Sequence, residues 1–285
     1  MMLRFLLIPF AVAMSLFSPD RVVSQETKNE SEIEREKSRE PKVLFECNFE
    51  GRDWWREWGL RESPRRIDAI DSDRKLQFQR HKGRALRIRV DKGGHYGASL
   101  EYRFAKRLGS EPEEIYFRYY LRLAPDWNPE RGGKFPGIGG TYGRAGWGGR
   151  KVNGTDGWSA RGLFGGLKKG KTPVGFYCYH ADMPGKYGDN WFWDRNGFDG
   201  LEKNRWYCIE QHVKMNSPGK QDGVLRAWVD NKLVYQKSDV RMRHVDRLKI
   251  ETVWINVYYG GSWTATDNYH LFIDDVAISR ARIGK

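Results

Sequence analysis

The sequence predicts an all-β fold, a β-sandwich with a concave face, and three observations carry that reading. Short runs rich in β-branched and aromatic residues recur along the chain, separated by Gly-rich turns. No strand-then-helix alternation interrupts them, so a parallel α/β architecture is excluded. The stretch from Val43 to Lys285 suits one domain of the larger all-β kind, and it holds no internal repeat. Long sandwiches of this kind curve, and curvature leaves a concave face suited to a polymer.

The N-terminus stands apart from that domain. Arg4 precedes an apolar run from Phe5 to Phe17, broken by Pro9 and Ser15. The run is too short for a comfortable membrane span and reads as a secretory signal. Val22-Val23-Ser24 offers cleavage before Gln25, which places the signal at 1–24; a cut after Ala13 is the alternative. No later stretch is long and apolar enough to span a bilayer. The expected location is secreted or periplasmic, with no membrane attachment after signal cleavage. Residues 25–42 are dominated by Glu, Lys, Arg and Ser, with Ile33 the one large apolar side chain. Such a segment cannot bury enough surface to offset chain entropy, and it reads as a charged, disordered linker closed by Pro41.

Within the domain, 43–285, strand patterns fall at 43–49, 75–79, 85–90 and, after a Gly-Gly turn, 96–104. The run 115–123 alternates cleanly: Ile115, Phe117, Tyr119, Leu121 and Leu123 take the core face, Tyr116, Arg118, Tyr120 and Arg122 the outer one. Further strands are read at 158–161, 176–180, 206–215, 249–258 and 270–279, with 223–229 and 232–236 paired as a hairpin through Asp230-Asn231.

The formal charge of +13 belongs wholly to this domain, because residues 1–42 carry seven basic and seven acidic side chains. A basic domain can bind nucleic acid, an anionic membrane or an acidic polysaccharide. An export signal argues against nucleic acid, and no helix-turn-helix, zinc-finger or RNA-binding motif is present. The three cysteines, Cys47, Cys178 and Cys208, include no CxxC pair, so a zinc site is not expected. Each lies in an apolar strand pattern, where buried inert thiols are the default. A Cys178–Cys208 disulfide after export is left open. A monomer is expected.

The chemistry concentrates in 132–181. Ser159 and Arg161 lie two apart on one predicted strand, Tyr177 and Tyr179 on another, so each pair shares a face. If both strands line one sheet face, a hydroxyl, a guanidinium and two phenols converge. Lys134, read as part of the preceding loop, reaches over them. That is a site for an anionic ligand with groups able to move protons. The competing reading is two ordinary half-exposed strands. Candidate substrate contacts lie around it: Arg118 and Tyr120 on the outer row of 115–123, His95 in a Gly-Gly-His-Tyr-Gly turn, and Trp191 and Trp193 as sugar-stacking platforms. Trp158 alternates with Ser159 and is expected in the core. His180 is expected to bond locally at a strand end. Glu210 and Glu251 are the carboxylates a glycoside hydrolase would need.

These residues resemble polysaccharide lyase family 14. The resemblance rests on Gly-Gly-Lys-Phe-Pro-Gly at 132–137, Trp-Ser-Ala-Arg at 158–161 and Tyr-x-Tyr at 177–179. It also rests on Asp222-Gly223, Trp228-Val229-Asp230 and Phe272-Ile273-Asp274-Asp275, in that order along the chain. It implies a β-jelly roll of the concanavalin A-like kind and eliminative cleavage of alginate or glucuronan. The catalytic set it implies is Lys134, Ser159, Arg161, Tyr177 and Tyr179. The loop 141–156 is longer than expected for alginate-cleaving members, and 181–194 looks particular to this branch. The chain is also similar to family 20 glucuronan lyases and related secreted fungal proteins. In those, calcium near the first and last strands supports the sandwich, which here points to Glu50 and Asp275, with Glu46 and Asp274 close by in sequence. No cofactor is needed for the chemistry. The expected function is a secreted polysaccharide lyase acting on an acidic uronate polymer by β-elimination. The alternative is a non-catalytic carbohydrate-binding protein on the same fold.

Overall fold

The computed structural model describes residues 42–285 apart from 63 and 65. The predicted signal, and the predicted linker as far as residue 41, lie outside the described residues. Two antiparallel sheets face each other. The larger has eight strands in the order β12 (Lys232–Val240), β11 (Gly223–Val229), β10 (Trp206–Lys214), β5 (Glu114–Leu123), β14 (Tyr269–Ser279), β3 (Ala85–Val90) and β2 (Ile67–Ile70), with β1 (Val43–Cys47) also pairing with β14. The smaller runs β4 (Tyr96–Arg103), β13 (Thr252–Tyr259), β6 (Gly133–Gly140), β7 (Trp158–Phe164), β8 (Val174–Tyr179) and β9 (Asp189–Phe192). This is the predicted sandwich, with the crossovers of a jelly roll.

Alternation assembles the core. Ile115, Phe117, Tyr119, Leu121 and Leu123 of β5 are buried between the sheets, facing Ile138, Trp158, Phe176, Cys178, Val253 and Ile255 of the smaller sheet. Burying a large apolar side chain contributes about 1.5–3 kcal/mol, so this double layer supplies most of the stability. One polar tie crosses it: the Gln211 side-chain amide on β10 donates to the Pro136 carbonyl on β6 at 2.8 Å. Trp158 is fully buried, as its position beside Ser159 predicts, and its indole N–H donates to the Lys249 carbonyl at 2.9 Å.

Two local readings need correction, and the cysteines keep their default reading. Residues 75–79 are not a strand: Asp73 accepts the Leu76 N–H, Gln77 takes φ +49°, and the segment turns over the outer face of the larger sheet. There the Arg122 guanidinium donates to the Gln77 carbonyl and the Trp206 indole to that of Gln79. The outer row of β5 is therefore covered, and Tyr116, Tyr120 and Arg122 are buried. Residues 133–140 are a strand despite Pro136, whose missing N–H coincides with a register break between Phe135 and Ile138. All three cysteines are free and buried. Cys178 faces between the sheets, whereas Cys208 meets the Gly284 carbonyl on the far side of the larger sheet, so the two cannot pair. Among the described residues no helix is long and apolar enough to cross a membrane.

Candidate active site

The outer face of the smaller sheet is the floor of a groove, and strand register sets what lies on it. Arg161 stands opposite Tyr177 and Ser159 opposite Tyr179 across β7 and β8. Lys134 of β6 stands opposite Leu163 on one side and Tyr258 on the other. Trp254, Asn256 and Tyr258 alternate along β13, with Asn256 opposite Ser99. Opposed residues in a ladder share a face. Gly137 permits the close approach that seats Arg161, since a Cβ there would collide with the Arg161 backbone. Over this floor lies a cavity of about 930 Å³. Lys134, Arg161, Tyr177, Tyr179 and Asn256 line it, ringed by the aromatic side chains of Tyr96, Trp147, Tyr187, Phe192, Trp254, Tyr258 and Trp263. Among the described residues no Asp or Glu lines it.

Its electrostatics are one-sided. Arg161 is 7% exposed, and its Nη1 donates to the Asn256 side-chain oxygen at 3.3 Å. Its Nε is buried without a partner among the described residues. The guanidinium sits 5.3 Å from the Trp254 ring centre and 5.7 Å from that of Tyr177. The Lys134 Nζ lies 3.5 Å from the Tyr177 ring centre. Burial, and then the charge of Arg161, pull the Lys134 ammonium down to about 7, and burial pulls Arg161 down to about 10. Two cations thus share a desolvated space with no carboxylate beside them. A bound anion relieves both the desolvation and the mutual repulsion.

The two phenols differ. Tyr177 is partly exposed to the groove, and burial, then the neighbouring Tyr179, pushes its hydroxyl above the usual tyrosine range. Tyr179 has no exposed surface; its oxygen accepts the Gly149 N–H at 3.0 Å and lies 3.5 Å from the Tyr177 oxygen.

The sequence-predicted residues separate accordingly. Lys134, Arg161, Tyr177 and Tyr179 converge on the cavity, with Lys134 on strand β6 rather than on a loop. Ser159 shares their face but is fully buried, donating its hydroxyl to the Gly146 carbonyl at 2.7 Å. Ser159 and Tyr179 together pin the Gly-rich loop that brings Trp147 and Gly148 to the groove wall. His95 lies at the rim with its ring parallel to Tyr258, 5.3 Å away, and does not line the cavity.

Arg118 and Tyr120 are elsewhere altogether. They lie on the outer face of the larger sheet, where Arg118 pairs with Asp275 at 3.5 Å and Tyr120 stacks on His81. Trp191 and Trp193 point to the inner side of β9. Trp191 contacts His180, and Trp193 is buried on Phe176, because only the alternate residues Asn190 and Phe192 face the groove. His180 bonds locally to Asp189 at 2.8 Å, as expected. Glu210 accepts the Ile283 and Gly284 N–H groups, and Glu251 holds Tyr142, so neither carboxylate reaches the groove. The sequence reading missed Asn256. The alternation Trp254-x-Asn256-x-Tyr258 carried the same two-residue signal as the tyrosines.

The calcium candidates also rearrange. Asp275 is occupied by Lys82 at 2.6 Å and by Arg118. Asp274 is the better donor: it is 1% exposed, its Oδ2 has no partner among the described residues, and burial, then Asp275 and Glu50, raise it to about 7. Glu50 accepts the Arg84 N–H and occupies the space that a side chain at Gly83 would fill. An orphaned buried carboxylate oxygen beside a second carboxylate fits a hard, oxygen-liganded cation. Among the described residues no cluster of three or more His, Cys, Asp or Glu is suited to hold a metal.

The family profile described as Polysaccharide lyase 14 matches residues 79–276. No curated protein matches the chain. Among solved structures, alginate lyase Aly36B superposes with a TM-score of 0.63 at 18% identity, covering 86% of this chain and 98% of that one. The alginate lyase from Aplysia kurodai gives 0.56 at 21% identity, covering 74% and 86%. The endo-β-1,4-glucuronan lyase from the fungus Trichoderma reesei gives 0.55 at 15% identity, covering 84% and 96%. At these identities the likeness is one of fold.

Proposed function

The chain belongs to polysaccharide lyase family 14, and from that premise we propose that it is an exported, monomeric enzyme that cleaves an acidic, uronate-containing polysaccharide by β-elimination. The observation that carries this reading is the groove itself: a buried guanidinium, a half-buried lysine, a phenol and an amide, with no carboxylate among the described lining residues. The solved alginate and glucuronan lyases of the same fold support it.

Elimination needs three things of the protein. The C5 proton, next to an ionised carboxylate, is very weakly acidic, so the charge that develops on its removal must be stabilised. Arg161 grips the carboxylate with its guanidinium, which Asn256 braces at Nη1. A base must take the proton. Lys134 suits this role because burial has already brought it near neutrality. The leaving O4 must be protonated. Tyr177 suits that, since its raised hydroxyl stays protonated at the entrance of the groove. The C5–H pair becomes the C4–C5 double bond, the C4–O4 bond breaks, and O4 takes the Tyr177 proton. The phenolate then regains a proton from water, and Lys134 releases its own to solvent, which resets both groups.

The product carries a double bond conjugated to the carboxylate and absorbs ultraviolet light, whereas a hydrolysis product does not. Incubation with alginate and with glucuronan is expected to raise ultraviolet absorbance in step with new chain ends. New reducing ends without absorbance would indicate hydrolysis. Binding of the polymers with no new ends would leave the non-catalytic carbohydrate-binding reading in place.

A structural calcium, which Glu50 and Asp274 would hold, is part of the same proposal; it would brace the sandwich and supply no catalytic step. Chelation is expected to lower Tm by roughly 5 °C or more, and Asp274→Asn to remove that difference. Should chelation leave Tm unchanged while Asp274→Asn raises it, Asp274 is a buried unpaired acid and no ion is held there.

A further inference from the structure

The groove does not end at its aromatic rim. Ser99, on β4, belongs to the wall of the main cavity and to that of a second, smaller cavity of about 230 Å³ on the same side of the sheet. Ser99 is fixed at this junction by the Trp254 indole N–H, which donates to its hydroxyl at 2.9 Å. Beyond it the walls are Trp58, Glu101, Arg103, Lys106 and Arg107. The edge strand β4 supplies Glu101 and Arg103, and the one-turn helix Phe104–Leu108 supplies the other two cations. The segment carrying Trp58 closes the far side, held there by the Arg107 guanidinium on the Glu57 carbonyl.

The charge in this pocket is unbalanced. Glu101 is already bound to Arg103 at 2.7 Å. Lys106 and Arg107 have no ion-pair partner among the described residues, and both side chains are exposed to solvent. From Arg161 on β7 to β4 is three strand steps, through β6 and β13. At about 4.8 Å per step that spans roughly 15 Å, the reach of a few sugar residues lying across the strands. Trp254 and Asn256 pave the route between.

We infer that the Lys106–Arg107 pocket is a distal subsite that binds a carboxylate of the same uronate chain, several residues from the bond being cleaved. The inference rests on the lyase reading of the groove and deepens it: the enzyme prefers long polyanions because a second anion-binding point lies along the path of the substrate. The anchoring is electrostatic and exposed, so it is screened by salt.

Size-graded oligouronates separate this subsite from the catalytic centre. For the wild-type protein, kcat/KM should step upward once oligomers are long enough to reach Lys106. In Lys106→Glu, the ratio of kcat/KM for long over short oligomers should fall about five-fold, the scale of one exposed charge contact. The loss should lie in KM and shrink in high salt. Lys106 is exposed on a single helical turn, so folding should survive, and a thermal melt checks that. An unchanged ratio, or an equal loss at every length, overturns the subsite. A wild-type protein that cleaves no uronate polymer at all overturns the lyase reading first, so the two failures are distinct.

Discussion

Lys134→Met is expected to lose roughly 10³-fold in kcat/KM, the scale of removing a positioned general base, while gaining stability. Both effects have one cause. The wild-type ammonium sits in a desolvated site beside Arg161, which brings it from its usual range down to about 7. The unfolded chain holds the same proton up to about 10.5. Below pH 7 both states are charged and the folded state bears the full penalty. Between about 7 and 10.5 the folded lysine is neutral, and the penalty shrinks as pH rises; above that it is gone. Met keeps the length and the contact with the Tyr177 ring without the charge. The variant should therefore be stabler by on the order of 2–4 kcal/mol at pH 6, and hardly at all at pH 10.5, as read from denaturant melts at the two pH values. The wild-type pH profile follows from the same group. The kcat/KM of the free enzyme should climb as pH rises through about 7, where Lys134 loses its proton. In the complex the substrate carboxylate favours the ammonium, so the rising limb of kcat should lie at higher pH. A variant that is destabilised at pH 6, or a wild-type profile flat through neutrality, would rule out Lys134 as a buried base.

What could be read from the sequence was set by local backbone period, and what could not by long-range pairing. Two-residue spacing needs only local backbone geometry, so it placed Ser159 with Arg161 and Tyr177 with Tyr179 and sent Trp158 to the core. It could not show that a loop thirteen residues upstream returns to roof Ser159, because the Gly146 carbonyl meets that hydroxyl only in the fold. The same rule applied to Trp191 and Trp193 had the right period and the wrong phase: Phe192 and Asn190 face the groove, while the two indoles take the inner side. Arg118 and Tyr120 failed for a different reason. Their outward alternation was read correctly, but the sandwich has two outer faces, and sheet order decides which one is the groove. Sheet order depends on long-range pairing such as β13 between β4 and β6, which has no local signature. Asn256 reaches the site through that pairing. The strand β6 escaped notice because Gly and Pro dominate it, residues that weaken strand propensity yet allow the close packing of β6 on β7.

Tyr177→Phe and Tyr179→Phe, each removing one hydroxyl and keeping the ring, should differ sharply. Tyr177 faces the groove with a hydroxyl held protonated by burial, so its loss removes the proton donor for O4. A drop of about 10²–10⁴-fold in kcat is expected, with substrate affinity nearly unchanged, because Arg161, braced by Asn256, still holds the carboxylate. Leaving-group chemistry offers a second readout. A synthetic uronate carrying an acidic leaving group on C4 loses it without needing a proton, so it should restore much of the activity of Tyr177→Phe and little of Lys134→Met. Tyr179 is sealed from solvent and holds the Gly149 N–H. Its loss leaves that amide unsatisfied and loosens the loop that carries Trp147 to the groove wall, which should weaken binding and lower Tm. The expected cost of about 1–3 kcal/mol should appear in KM and stability more than in the chemical step. The opposite pattern, with Tyr179→Phe losing kcat at unchanged KM and Tyr177→Phe nearly fully active, would reverse the two roles: the buried phenol would be the acid, and the groove would have to open at the Gly146–Gly149 loop to admit the leaving oxygen.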